Sequence, residues 1–455
     1  MNYYLAFFFL ACGLLVLIKP LYTYLFSKFV GSKVKISGYL ALFFGIILFL
    51  TGLLQPEWSD RLWSVIFVVM GTLSFLKGVW LIALPNHASK ILEIFIKHYY
   101  KITVPVSILY LFISVTVVST DYIGPQKDIS KCESDDRIKV ICGFSNPEDI
   151  VITPDNKFFF ISEFGGIGPY AEHTPGYFAL MDLNTYEKKV PKITFGESSW
   201  GDASCIRGEL DIFNPHGIDL VENDEGFYQL AVINHSPFES IEMFEIIKNE
   251  SSWDMIWRGC IRVPDQYYFN DVALKKDGSF YASHMYKRDI SMEEWLMNSL
   301  FKSISGHVVL WSDNNFNKVD GTDGSGPNGI LLDEGSGLLY VNYNQGDNLS
   351  VYDINQNTKT GSYFIQSPDN IFLKDGSVWL TSLDLQANDF GDCAEKTNCS
   401  LPFSIHKLNQ KTLKREDKFS FSRTVFGLPT IAVPHDEKIF MGSFHSDRIG
   451  YFAEE

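Results

Sequence analysis

Two patterns of apolar and polar positions divide the chain. Up to about residue 120 the apolar residues come in long runs, at 3–26, 37–54, 62–85 and 103–119. Each run is close to the ~20 residues that a helix needs to cross the hydrocarbon core of a bilayer. The pattern predicts an α-helical membrane domain of about four transmembrane helices over residues 1–120. From Asn146 onward the runs shorten to strand length, and turns rich in Asp, Asn and Gly separate them. Residues 121–145 read as a linker and 146–455 as a second, all-β domain.

One phrase recurs through that second region: a polar residue, an apolar strand, a turn, and a second apolar strand. It begins at Glu148-Asp149, His216, Asn270-Asp271, Asn328, Asp369-Asn370 and, more weakly, Thr430. Successive copies lie 42 to 67 residues apart, at or above the length of one four-stranded blade. Six copies predict a six-bladed β-propeller. A two-sheet sandwich of short strands would not explain why a polar residue always leads the phrase. In a propeller the leading residues sit ahead of the innermost strands, so they gather at one mouth of the central tunnel.

Charge and cysteine usage refine this picture. Residues 1–120 hold nine Lys/Arg against three Asp/Glu, and the remainder holds 29 against 51. An acidic second region argues against nucleic acid as a partner. Lys28, Lys33 and Lys35 follow the first apolar run, and Lys90, Lys97 and Lys101 precede the fourth. Positive loops belong on the cytoplasmic side. The chain is therefore expected to be a multi-pass membrane protein with its propeller on the extracytoplasmic side. Six of the seven cysteines lie in the acidic region, which suits an oxidising compartment. Cys393–Cys399, Cys132–Cys142 and Cys205–Cys260 are the expected pairs among the 15 that six cysteines permit. Sequons at Asn249, Asn348 and Asn398 would serve only in a eukaryotic secretory lumen, and a fourth at Asn234 falls in the candidate site.

The leading residues carry the candidate chemistry. Glu148, Asp149, Asn270, Asp271, Asn328, Asp369 and Asn370 all offer oxygen. Carboxylates and amides converging on one point select Ca²⁺, and the softer set that zinc prefers is missing from these positions. Any one of them alone would serve equally well in a turn or cap. His216 and His235 are 19 residues apart, on strands joined by short loops that return them to the same sheet end. Two such histidines can share a proton, and one can act as a base near neutral pH.

Pro215-His216-Gly217-Ile218 and Val232-Ile233-Asn234-His235 resemble hallmark segments of the serum paraoxonase/arylesterase family. The resemblance runs from near Cys142 to about Phe452. It implies that Glu148, Asn270, Asn328, Asp369 and Asn370 hold a catalytic calcium ion. It also implies that Asp149, Asp271 and the backbone carbonyl of Ile218 hold a second, structural calcium. His216 and His235 would be the histidine dyad. The implied activity is calcium-dependent hydrolysis of lactones or aryl esters, with small hydrophobic substrates and a lipid bilayer as partners.

The chain departs from the family at its two ends and resembles it in one further helix. The cysteine with which the family closes its propeller has no counterpart in Tyr451-Phe452-Ala453-Glu454-Glu455. Four apolar runs replace a single N-terminal anchor. Ser291 to Lys302 reads as an amphipathic helix with a Ser291/Glu294 capping box, suited either to a membrane surface or to packing on the propeller. Two other functions fit the residues. One is a sugar-lactone hydrolase of the gluconolactonase kind; the other is a non-enzymatic, calcium-stabilised propeller that binds a partner or lipid.

Overall fold

The computed structural model describes residues 2–21, 23–24, 34–54, 58, 62–119, 128–165, 175–208, 212–384 and 397–454. The chain falls into two compact units, Met1–Pro125 and Gln126–Glu455.

The described part of the first unit is helical: Asn2–Leu15, Val34–Leu53, Leu62–Ala83, Pro85–Lys97 and Tyr99–Ser119. The Val34–Leu53 and Leu62–Ala83 helices pack backbone to backbone. A Cβ on Gly45 would stand 2.6 Å from Phe75 N, and one on Gly71 would stand 2.4 Å from Phe49 N. Only hydrogen fits at these two positions, a mode of helix packing that small residues permit. Across the other pair, Ser114 Oγ donates to Ala6 O at 2.8 Å. Tyr99 Oη donates to Val16 O at 2.6 Å. Large apolar side chains point outward, among them Phe7, Phe43, Leu73 and Phe112. Among the described residues one helix, Val34–Leu53, is long and apolar enough to cross a membrane; the apolar stretches Ala6–Leu15, Phe67–Ala83 and Tyr99–Val115 are shorter. The Pro85–Lys97 segment was expected as a positively charged loop, yet it is a helix. Its proline sits at the helix start, where a missing N–H costs nothing.

The second unit is a six-bladed β-propeller. Four blades are antiparallel sheets of four strands consecutive in sequence, joined by short hairpins; the second adds Ile193–Phe195 as a parallel outer strand, and the last takes its outer strand from the start of the unit. The innermost strands are Pro147–Ile152, Pro215–Glu222, Phe269–Leu274, Pro327–Asp333, Pro368–Lys374 and Pro429–His435. The turns after them use left-handed backbone at Asn156, Gly226, Gly278, Gly337, Asp375 and Asp436, which explains the Asn, Asp and Gly in the repeated phrase. Between blades the core is apolar. Phe160, Leu180, Leu230, Val232 and Phe244 fill the space between the first two.

The last blade consists of Pro429–His435, Lys438–Ser443 and Arg448–Ala453, and its outer strand is Lys139–Cys142. Val140 pairs with Gly450 and Ile141 with Ile449. Residues 139–142 therefore belong to the propeller and not to the 121–145 spacer read from sequence. Strand pairing closes the ring without a cysteine near residue 455. Cys142 instead bonds locally to Cys132, and Cys205 bonds to Cys260. Cys399 is also disulfide-bonded, while its expected partner Cys393 lies outside the described residues. The Asn398 side chain is buried and accepts from Ser446 Oγ at 2.8 Å, so that sequon is closed in the folded chain.

Candidate active site

Every innermost strand slips register against its neighbour at the same place. The shifts fall between Pro147 and Asp149, Pro215 and Ile218, Phe269 and Val272, Pro327 and Ile330, Pro368 and Ile371, and Pro429 and Ala432. A bulge breaks the alternation of side chains and re-aims the residues inside it. Those residues are Glu148, His216, Asn270, Asn328, Asp369 and Thr430 with their neighbours, and the first five line one cavity.

The ring is tight there. Asp149 Oδ2 accepts from Ile218 N at 2.8 Å, joining the first blade to the second. Asp271 Oδ2 accepts from Ile330 N at 2.7 Å, joining the third to the fourth. A Cβ on Gly329 would stand 2.5 Å from Asp369 O, so glycine is required where the inner strands converge.

Glu148, Asp149, Asn270, Asp271, Asn328, Asp369 and Asn370 are all buried. Asn370 Nδ2 donates to Glu148 Oε1 at 2.9 Å. Glu148 Oε2, Asn270 Oδ1, Asn328 Oδ1 and Asn370 Oδ1 are buried without a hydrogen-bond partner. Four orphaned acceptors in one place are costly unless something positive meets them. Burial and the mutual repulsion of the carboxylates push Glu148 and Asp271 well above the ordinary range. Asp149 is pushed up to about 7 and Asp369 to about 8, chiefly by burial. A hard cation would satisfy the orphaned oxygens and offset that repulsion. Among the described residues no group of three or more His, Cys, Asp or Glu is arranged to hold a metal. The orphaned set is of another kind, one carboxylate oxygen with three amide oxygens. Asp149 and Asp271 differ from it, since each already accepts two backbone N–H groups.

The histidines meet beside this set. His216 Nδ1 lies 3.0 Å from His235 Nε2, and His235 Nδ1 lies 2.7 Å from Glu239 Oε2. His216 Nε2 lies 3.3 Å from Asn270 Nδ2 and 3.9 Å from Glu148 Oε1. Burial, then the neighbouring His235, lowers the His216 pKa well below the usual histidine value, which keeps that imidazole neutral. The Phe164 ring stacks on His216 at 4.5 Å between centroids.

Above these groups lies a cavity of about 120 Å³. Its floor includes Glu148, His216, Asn270, Asn328 and Asp369, and its walls include Phe164, Met285, Tyr286, Trp295 and Phe444. Trp295 comes from the Met292–Phe301 helix, which starts at the expected capping box of Ser291 and Glu294. That helix turns Trp295 inward and leaves Leu296, Met297 and Phe301 exposed.

The arylesterase family model matches residues 141–382, more than half of the chain, and that stretch carries every one of these side chains except Phe444. The chain belongs to the arylesterase family. Among curated relatives, serum paraoxonase/arylesterase 1 of Mus musculus is 31% identical over 194 residues, 41% of this chain and 50% of that protein. Its Homo sapiens counterpart is 25% identical over 311 residues, 66% of this chain and 83% of that protein. The chain thus spans about half the length of the mouse relative that it matches. Among solved structures, the periplasmic gluconolactonase of Pseudomonas aeruginosa aligns with a TM-score of 0.40 and 11% identity, over 68% of this chain and 81% of that one.

Glu239 and Phe164 are not marked by any motif in the sequence. Glu239 stands immediately before the Ser240–Lys248 strand, at the sheet end where His235 closes the Tyr228–Asn234 strand. That placement was the available signal.

Proposed function

We propose that the propeller unit is a calcium-dependent hydrolase of lactones or aryl esters. The observation that carries this reading is the set of four orphaned oxygens on Glu148, Asn270, Asn328 and Asn370, next to a neutral histidine and under an apolar cavity. Glu148, Asn270, Asn328, Asp369 and Asn370 would hold one calcium ion; Asp149, Asp271 and the carbonyl of Ile218 would hold a second. Bound calcium supplies charge that polarises a carbonyl and stabilises an oxyanion.

The chain's own residues do the rest. His216 presents Nε2 to the cavity as a base for a water proton, and His235 holds His216 from behind. Phe164 stacked on the His216 ring fixes its plane. Phe164, Met285, Tyr286, Trp295 and Phe444 exclude water and favour an apolar acyl or aryl group. Those walls support hydrophobic esters over sugar lactones. The test is turnover of aliphatic lactones, phenyl acetate and a sugar lactone, with and without EGTA, by wild type, His216→Gln and Asp369→Ala. Full activity of the wild type in EGTA would remove the metal from the reading.

The first unit is proposed as a multi-pass anchor with the propeller extracytoplasmic. Its outward Phe7, Phe43, Leu73 and Phe112 and its glycine-lined helix pair support this, as do the propeller disulfides. Release of the full chain from membranes by alkaline carbonate, without detergent, would count against it.

A further inference from the structure

The histidine pair is not the end of its hydrogen-bond chain. Glu239 Oε2 lies 2.7 Å from His235 Nδ1. Glu239 and His235 are both buried. The loop between them is held from several sides. Asn234 Nδ2 donates to Ser236 O at 2.7 Å and to Ser240 Oγ at 2.9 Å. Asn214 N donates to Asn234 Oδ1 at 2.9 Å, and His235 N donates to Asn214 O at 3.1 Å. Arg207, buried against Glu242 at 2.7 Å, also donates to Ser236 O at 3.0 Å. The backbone that carries Glu239 is thus held by a buried network, with its carboxylate buried against His235.

A carboxylate has only acceptor oxygens, while a neutral imidazole has one donor and one acceptor. Facing Glu239, His235 must carry its proton on Nδ1. Its Nε2 is then bare and accepts from His216 Nδ1–H at 3.0 Å. The Nε2 of His216 is bare in turn, and Asn270 Nδ2 donates to it over a long 3.3 Å, a contact that gives way when Nε2 takes a proton from water. With its amide nitrogen committed to His216, Asn270 leaves its Oδ1 among the orphaned oxygens. A donor-only amide nitrogen at one end and an acceptor-only carboxylate at the other thus impose the same direction on the row, and Glu239 is what holds its His235 end. Reversing it would put a proton on the atom that must accept one.

We propose that Glu239 is a positioning residue: it fixes the tautomers of His235 and His216 and thereby aims both the base nitrogen and the Asn270 carbonyl at the substrate cavity. This deepens the hydrolase reading and rests on it for its effect on rate, but the tautomers can be read without any turnover.

The experiment uses the full chain with ¹⁵N-labelled histidine, with signals assigned through His216→Gln and His235→Gln. In the wild type, His235 and His216 are expected to carry their protons on Nδ1. Glu239→Leu, which offers no acceptor, is expected to mix the His235 tautomers. It should lower kcat about a hundredfold, with KM changed less than about threefold. Glu239→Asp, which keeps the carboxylate, should restore the wild-type tautomers and part of kcat. A wild-type His235 protonated on Nε2 overturns the proposal, whether or not Glu239→Leu folds. So does a folded Glu239→Leu protein with unchanged tautomers, or one with unchanged kcat. If the wild type turns over no ester at all, the hydrolase reading fails, and the tautomers alone decide the role of Glu239.

Discussion

A Cβ on Gly217 would stand 2.3 Å from Asp271 Oδ1. The residue after the candidate base is thus pressed against a carboxylate of the next blade, and the two inner strands approach as closely as their backbones allow. Gly217→Ala must push these strands apart. The expected cost is about 1–3 kcal/mol, the usual range for overpacking a tight site. Urea unfolding measures it, and activity should fall although no substrate contact is removed. An alanine variant as stable and as active as wild type would contradict this packing.

Metal removal should be visible in stability before it is visible in turnover. A ligand that binds only the folded state at a hundred times its Kd adds about 2.7 kcal/mol. Thermal unfolding should therefore start lower in EGTA than in millimolar calcium, and Asn328→Ala should narrow the gap. Superimposable wild-type curves in the two buffers would refute calcium binding here.

With the cation chelated, pH should act in a definite direction. In the folded chain Asp149 holds its proton up to about 7 and Asp369 up to about 8. An unfolded aspartate releases its proton near ~4. Groups raised in this way support folding most at low pH, and that support is lost as pH climbs through their folded values. The chelated protein should lose stability between about pH 4 and about pH 8. Differential scanning fluorimetry across that range tests the slope, and a rising midpoint would sink the assignment.

Cys205–Cys260 ties the Trp253–Arg262 strand of the second blade to the segment that leads into His216. Replacing both cysteines by serine should cost about 2–5 kcal/mol. Chemical denaturation under non-reducing conditions provides the comparison.

Trp295 is the one cavity wall supplied by the capped Met292–Phe301 helix. Trp295→Ala should raise KM for small apolar lactones about tenfold, a loss of about 1.4 kcal/mol of binding. Bulkier aryl esters should suffer less. Equal losses for both would mean that the helix does not shape specificity.

Much of this arrangement was legible before any coordinates. The repeated phrase pointed to six inner strands because each polar leader precedes a short apolar run and a turn that needs left-handed backbone, as at Asn156 and Gly278. The gathering of Glu148, Asn270, Asn328 and Asn370 followed from the same repetition. Less legible were features set by distant partners. Lys139–Cys142 is a short strand with weak alternation, and only the open edge of the Arg448–Ala453 strand makes it one. Glu239 looks like any charged loop residue until Asn234 and Arg207 fold its loop over His235. Pro85–Lys97 carries charges that read as a connector, whereas its apolar spacing favours a helix once neighbouring helices are present.

The pairing of Lys139–Cys142 with Arg448–Ala453 joins segments roughly 300 residues apart. A strand emerging early from the ribosome must wait for nearly the whole barrel of blades to be made before it finds its partner. Contacts of such span slow folding, because the intervening chain must be ordered first. During synthesis the first five blades would stand as an open arc with an unguarded rim, the period in which a chaperone or a neighbouring nascent copy would find most to bind.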